Sequence, residues 1–250
     1  MMPSKCLTIL KYQRILILIQ TNIVNKRIFS FVFARGGSKG IPKKNLLMID
    51  GIPLLGHSIK MSKSIGAVEK TFVSTDCNEI ARIGQEYGAE IIKRPKELAK
   101  DDSPEWLSWK HAVNFATKVH GDFDIFLSLP TTSPLREYLD IYNCLEKITE
   151  PNVDSVITIC KSNRSPWFNM VSKKNELLKL LIKDKKIFRR QDVPKSYDIT
   201  TVAYVLKTDF IRNANNIWEG NVCGVEVPQE RSIDIDNYLD YKIANFLFHN

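Results

Sequence analysis

Two short stretches, far apart in the chain, hold side chains suited to polyphosphate chemistry. The first, Arg35 through Asn45 (RGGSKGIPKKN), places three glycines (Gly36, Gly37, Gly40), four cations (Arg35, Lys39, Lys43, Lys44) and one hydroxyl (Ser38) within eleven residues. Glycines let consecutive backbone N–H groups approach and cup a phosphate, while lysine and arginine offset its charge. The spacing fits neither GxxxxGK[ST] nor GxGxxG, so neither a P-loop ATPase nor a dinucleotide-binding fold is supported. The same composition also suits a solvated turn. The second stretch is Ser232-Ile233-Asp234-Ile235-Asp236. If it is extended, Asp234 and Asp236 face one side and Ile233 and Ile235 face the core. Such a pair suits a hard cation, because magnesium takes one or two carboxylates and completes its shell with water and phosphate oxygens. The competing role for Asp236 is to N-cap a final helix.

These residues need a scaffold, and the hydrophobic pattern supplies one. Ile28 to Ala34 (IFSFVFA) reads as a buried strand that ends at the glycine-rich loop. Pro53 to Ser64 reads as a helix, Lys70 to Ser74 as a strand, and Asn78 to Tyr87 as a helix stopped by Gly88. The alternation continues with strands at 90–92, 124–129 and 153–160 and helices at 105–119 and 139–148. Such succession gives a largely parallel sheet covered on both faces, with ligands beyond the carboxyl ends of its strands. The loops at Arg35, Asp76 and Pro130 fall there. From Lys161 to Lys195 a charged, Pro- and Asn-containing region with one apolar stretch (177–182) reads as a hairpin-like excursion. Strands at 201–206 and 222–227 follow, and a closing helix at 238–248 carries Leu239, Ile243, Phe246 and Leu247 on one face.

Composition narrows the functional classes. The net charge is +8, but residues 1–27 carry five cations and no acid, leaving about +3 for the remainder. A nucleic-acid binder needs basic residues clustered through the folded body, so a small anionic substrate fits better. The five cysteines (Cys6, Cys77, Cys144, Cys160, Cys223) lack CxxC spacing, which indicates neither a zinc site nor a disulfide framework and favours a reducing cytoplasm. Lys11, Arg14 and Gln20 interrupt the apolar run from Leu7 to Val24, which argues against a membrane anchor or signal peptide. Residues 1–27 are expected to form a poorly ordered or loosely docked extension, or to reflect too early a start codon.

With these residues in view, the chain resembles the acylneuraminate cytidylyltransferase family, enzymes that make CMP-activated sialic acids and related nonulosonic acids. The resemblance runs from Ile28 to Phe248 and includes ARGGSKGIPKKNL (34–46), VSTD (73–76), KRPKELAKDDS (93–103), TTSPLR (131–136) and SIDID (232–236) in the family's order. It implies a three-layer α/β, Rossmann-like nucleotidyltransferase (GT-A-like) fold, with the segment 161–195 protruding to build a homodimer. It also implies that CTP and Mg2+ are used, the anomeric hydroxyl of a 2-keto sugar acid attacking the α-phosphorus. By motif position, Arg35, Gly36, Gly37, Ser38, Lys39, Lys44 and Asn45 hold the triphosphate. Lys44, Arg35 and Asp236 serve catalysis, and Asp234 and Asp236 hold the metal. Arg94 reads cytosine, unless it is a surface salt-bridge residue, and Ser103 adds a base contact. Asp76 suits a cap or loop anchor equally with a nucleotide contact. For the sugar acid, the resemblance points to Arg190, Tyr204 and the polar loop Thr131, Thr132, Ser133 and Arg136, with loop ordering the alternative for Arg136.

The pattern also departs from the family. Pro130 stands where sialic acid members have a glutamine, Phe168 where some have a lysine, and Asp198 and Thr200 replace an arginine and an asparagine. A QGDEP-like stretch typical of the 3-deoxy-octulosonate enzymes is absent. The expected substrate is therefore a sialic-acid-like nonulosonate such as legionaminate, pseudaminate or a deaminated relative. Use of another nucleotide, of 3-deoxy-octulosonate, or nucleotide binding without turnover are the rivals.

Overall fold

A computed structural model describes residues 23, 25–38, 40–183 and 189–249. The expected N-terminal extension up to residue 22, and Lys39, lie outside the described residues. In chain order the strands are β1 (Ile28–Phe33), β2 (Met48–Ile49), β3 (Ile52–Pro53), β4 (Val68–Thr75), β5 (Glu90–Lys93), β6 (Ile125–Ser128), β7 (Ser155–Lys161), β8 (Val171–Lys174), β9 (Leu177–Leu180), β10 (Tyr197–Lys207) and β11 (Val222–Glu226). The α-helices are α1 (Leu54–Ser64), α2 (Asn78–Glu86), α3 (Glu105–His120), α4 (Tyr138–Lys147), α5 (Thr208–Asn213) and α6 (Tyr238–Phe248).

Seven strands form one sheet in the order β11-β7-β10-β6-β1-β4-β5. β1 pairs in parallel with β4 and β6, β4 with β5, and β7 with β11, whereas β10 is antiparallel to both of its neighbours. The reversal has a simple cause. Parallel neighbours need a crossover that returns the chain to the starting edge of the sheet, but after β7 the chain makes the β8–β9 hairpin and re-enters from the carboxyl edge. The N-terminal half of β10 is thereby delivered to the edge where the ligand-facing loops gather.

Along β1, alternate residues serve opposite layers. Phe29 and Phe31 pack with Phe72, Phe126 and the α3 residues Trp109, Ala112 and Val113, while Val32 packs with Leu55, Ile59 and Ile80 from α1 and α2. Both faces are apolar because both are covered, as a largely parallel sheet requires. Packing begins before residue 28: Ile23 is buried with Ile28 and Ile125, and the Arg27 guanidinium pairs with Glu69 at 2.7 Å. A short hairpin and a short helix were not expected from the pattern. β2 and β3 make a two-residue hairpin at Asp50-Gly51, both with positive φ (49° and 68°), the backbone that a tight hairpin turn demands. The six-residue α5 follows β10.

The closing helix forms over Tyr238–Phe248 as expected, but the apolar face read from the sequence is turned outward. Leu239, Ile243, Phe246 and Leu247 do not face the core; Leu239 and Phe246 are each 65% exposed, and Ala244 is the buried residue. The inward stripe is Tyr241, Ala244 and Phe248. Its phase is set by the Tyr241 hydroxyl, which donates to the Met48 carbonyl at 2.7 Å, and by Phe248, which meets the His57 ring edge-on at 5.1 Å. A helix apolar on several sides has no single stripe to announce its facing.

An ion pair between a half-buried arginine and a buried carboxylate fixes the segment before α6 to the body. Arg231 donates from Nε and Nη2 to the two oxygens of Asp140 at 2.9 and 2.8 Å, and the Asp140 side chain is 3% exposed. Asp140 also caps α4 by accepting from the Glu137 N–H at 2.9 Å. Removing one partner of a buried, hydrogen-bonded pair leaves an uncompensated charge. Arg231→Ala is expected to destabilise the fold by about 3 kcal/mol, read from the urea unfolding midpoint; an unchanged midpoint would contradict the pairing.

Candidate functional site

The loop after β1 and the acidic segment before α6 meet at the carboxyl edge of the sheet. Lys44 Nζ lies 2.9 Å from Asp236 Oδ1, although 192 positions separate them. Gly40 sits directly on the acidic segment: a Cβ built there would fall 2.2 Å from the Asp236 carbonyl oxygen. Beneath the contact, Ile41 and Ile235 are both fully buried in one cluster with Ile49, Leu54 and Ala244. The expected alternation holds, with Ile233 and Ile235 inward. Asp236 does not cap α6; Asn237 does, accepting from the N–H groups of Leu239 and Asp240.

The loop itself is braced from three sides. Gly36 N–H donates to Asp76 Oδ1 at 2.9 Å, and a Cβ on Gly36 would press on Cys77 at 2.9 Å, so Asp76 acts as the loop anchor. Asn45 donates from Nδ2 to the Arg35 carbonyl at 3.0 Å and accepts from Thr131 Oγ1 at 2.6 Å. Both amide atoms of Asn45 are thus used in shaping the loop. Lys43, with φ 53°, turns outward to Glu79, whereas Lys44 turns into the cleft. The resulting cleft of about 450 Å³ is lined by Arg35, Ser38, Gly40, Lys44, Thr132 and Asp236, among others. Gly37 faces open space, with nothing near an added Cβ.

Arg35 and Arg94 are set differently. Arg35 pairs with Asp101 at 2.7 Å, linking the glycine-rich loop to the 93–103 motif. Arg94 is buried rather than a surface salt-bridge residue. Its Nε and Nη2 donate to Ser74 Oγ and the Ser74 carbonyl at 3.1 and 2.7 Å, and its guanidinium lies 5.5 Å from the Phe33 ring. Burial lowers its pKa. Ser103 is half-buried in the turn before α3, its N–H donating to the Lys100 carbonyl.

Tyr204 lies tilted against Trp109, with 5.6 Å between the ring centroids. Burial first, then Glu105 and Asp234, push its phenol up to about 12. Glu105 gave no signal in the sequence, yet it accepts from Trp109 Nε1 at 3.2 Å, and burial raises its pKa. Two members of the polar loop are corrections. Arg136 is buried behind it, donating to Ser58 Oγ at 2.9 Å and to the Pro130 carbonyl, so it orders the loop instead of offering its fork to a ligand. Burial lowers its pKa to about 9. Ser133 is fully buried against Thr201 Oγ1 at 2.7 Å. Thr132 lines the cleft. Arg190 begins a short turn, Arg190–Asp192, and its side chain lies outside those described.

Among the described residues no cluster of three or more His, Cys, Asp or Glu could hold a metal ion, and the four cysteines there are free. Asp234 and Asp236 nevertheless suit a cation that takes few protein ligands. Asp234 Oδ1 is buried and has no hydrogen-bond partner, the kind of orphaned acceptor that a bound ion explains. Burial, and then the neighbouring Asp236 charge, raise the Asp234 pKa. Among the described residues no helix is long and apolar enough to cross a membrane.

Comparison with known proteins finds relatives in sequence and in fold. The Cytidylyltransferase family model matches residues 30–221. Post-translational flagellin modification protein B of Campylobacter coli is 30% identical over 222 residues, covering 88% of this chain and 94% of that protein. The CMP-N,N'-diacetyllegionaminic acid synthase of Campylobacter jejuni is 31% identical over 223 residues, with the same shares covered. Among solved structures, CMP:2-keto-3-deoxy-manno-octonic acid synthetase complexed with CTP superposes with a TM-score of 0.65 at 17% identity, over 89% of this chain and 98% of that one, a likeness of fold.

The close approach of Gly40 can be tested alone. Gly40→Ala forces a methyl against backbone and is expected to destabilise by about 1–3 kcal/mol. Gly37→Ala, whose methyl meets open space, should stay within about 0.5 kcal/mol. Equal thermal stabilities for the two variants would contradict the packing of the loop on Asp236.

Proposed function

The chain belongs to the cytidylyltransferase family, and we propose that it couples CTP to the anomeric hydroxyl of a sialic-acid-like 2-keto sugar acid, a nonulosonate, releasing pyrophosphate. The carrying observation is the meeting of Lys44 with Asp236 in one cleft. A glycine-lined cationic loop and a pair of carboxylates there address the same polyphosphate. Similarity to a diacetyllegionaminate-activating synthase supports a legionaminate-like sugar.

In the transfer, a bond forms between the anomeric oxygen and the α-phosphorus, and the α-phosphorus to β-bridging-oxygen bond breaks. Pyrophosphate leaves with that electron pair, and the hydroxyl proton is released. Such displacements ask the protein mainly to position reactants and offset charge. Gly36, Gly37 and Ser38 offer the loop backbone, with Lys39 beside them by motif position. Arg35 exchanges Asp101 for phosphate oxygens, and Lys44, held toward the cleft, stabilises the charge on the transferring group. Arg94, with Nε and Nη2 committed to Ser74, keeps Nη1 for the base carbonyl, and Ser103 lies in the same motif. Thr132 and Tyr204 flank the sugar side, joined by Arg190. Asp234 and Asp236 would hold Mg2+, which when bound neutralises phosphate charge. We place the enzyme in the cytoplasm as a homodimer. The β8–β9 hairpin, whose Leu177 and Leu178 are 69% and 62% exposed, is the segment that meets the partner.

The reading is tested by pyrophosphate release from CTP, UTP, GTP and ATP against a panel of nonulosonic acids. CTP with one such acid should give turnover that chelation of divalent metal abolishes, and release with no acid preference would sink the assignment. Lys44→Ala and Asp236→Asn should each lower kcat at least about 100-fold. Because a pair this exposed on one side contributes at most about 1 kcal/mol, both variants should unfold at nearly the parent temperature. Light scattering that finds a fully active monomer would remove the dimer.

A further inference from the structure

The middle of β10 departs from regular pairing just where it passes the cleft. Ile199 pairs with Ile159 of β7 and Tyr204 with Ile157, so the four residues 200–203 stand opposite Thr158 alone. The Thr158 hydroxyl replaces the missing ladder. It accepts from Thr200 Oγ1 at 2.7 Å and from the Ala203 N–H at 3.1 Å, and it lies 3.3 and 3.2 Å from the carbonyls of Thr200 and Ala203. All three residues are buried. Thr200 is thereby spent inside the sheet, and the bulge pushes Thr201 out toward the acidic segment. Bulges of this kind re-aim side chains near active sites.

Thr201 arrives in a set of hydroxyls. Its Oγ1 lies 2.7 Å from Ser133 Oγ and accepts from Thr132 Oγ1 at 3.4 Å, and the Arg136 guanidinium donates to its carbonyl at 3.4 Å. The same loop is tied to the acidic segment by the Ile235 N–H, which donates to the Thr132 carbonyl at 2.9 Å. That bond sets the linked Thr132 and Thr201 hydroxyls beside Asp234, the residue before Ile235, whose Oδ1 is buried and without a partner. A carboxylate steadied by neighbouring hydroxyls, with one oxygen kept free, is the arrangement found behind a metal ligand.

We propose that Thr201 is a positioning residue for the divalent cation: braced by Ser133, its hydroxyl fixes the Asp234 carboxylate so that Oδ1 is presented to the metal. Ser133 donates to Thr201, and Thr201 donates onward to Asp234, each hydroxyl using its one proton in the same direction. The buried Ser133, which cannot reach a substrate, acquires a role in this relay. The proposal rests on the metal-dependent reading above.

The test uses the full-length chain and Mn2+ alone as the probe, with free Mn2+ read by electron paramagnetic resonance. Thr201→Val keeps the shape and removes the hydroxyl, and it should weaken Mn2+ binding about tenfold. Thr201→Ser, which retains the hydroxyl, should restore affinity to near the parent value. In turnover, Thr201→Val should raise the apparent KM for Mg2+ by more than it lowers kcat. Parent-like Mn2+ affinity in Thr201→Val, or an equal loss in Thr201→Ser, overturns the role of Thr201 while leaving the enzyme reading intact. A parent protein that neither binds Mn2+ nor needs Mg2+ for pyrophosphate release overturns both.

Discussion

The structure turns on holding a cationic loop and a carboxylate pair against one another across most of the chain's length. The Lys44–Asp236 contact marks that meeting, but an ion pair with one exposed partner contributes little by itself. What holds the two segments together is the burial of Ile41 and Ile235 in a shared apolar cluster, where full burial of such a side chain is worth roughly 1.5–3 kcal/mol. The Arg231–Asp140 pair and the Ile235-to-Thr132 backbone bond fix the register of the acidic segment. Charge then sits where apolar packing has placed it. That order of causes leaves the charged groups themselves open to the cleft.

The reversed strand gives the other half of the site. Six strands of the sheet run one way and bring their carboxyl ends to the cleft; β10 runs the other way and brings its N-terminal half. A parallel β10 would have offered the cleft its far end, near Lys207. The hairpin excursion that causes the reversal also leaves leucines in solvent on β9, and α6 leaves Leu239 and Phe246 largely exposed. Both sets of apolar residues lie outside the core because the sheet and its covering helices are already complete without them.

Several residues divide between lining the cleft and shaping it from behind, and burial makes the division. Arg136 and Ser133 belong to a motif that looks ligand-binding, but both are enclosed and bonded to the protein. Asn45 and Asp76 likewise direct their polar atoms to the loop backbone. Arg35, Lys44, Thr132 and Asp236 line the cleft. Polar residues in a loop are consistent with either role in one dimension, since a hydroxyl or guanidinium satisfies its hydrogen bonds equally well with backbone or with substrate.

The sequence by itself determined the alternating order of strands and helices, the phosphate-suited loop after β1, and the inward Ile233 and Ile235 that turn two aspartates the other way. Each of these follows from local periodicity or composition, which is written in neighbouring residues. Tertiary structure alone decided the direction of β10, the facing of α6, the enclosure of Arg136 and Ser133, the pairing of Glu105 with Trp109 and the placing of Thr201 against Thr132 and Ser133. Those outcomes depend on which distant surfaces compete for the same apolar contacts and hydrogen bonds. In α6, apolar residues lie on more than one side and Ala244 permits the closest approach; in β10, Thr158 supplies the bonds that let the strand bulge, and neither partner is near in the chain.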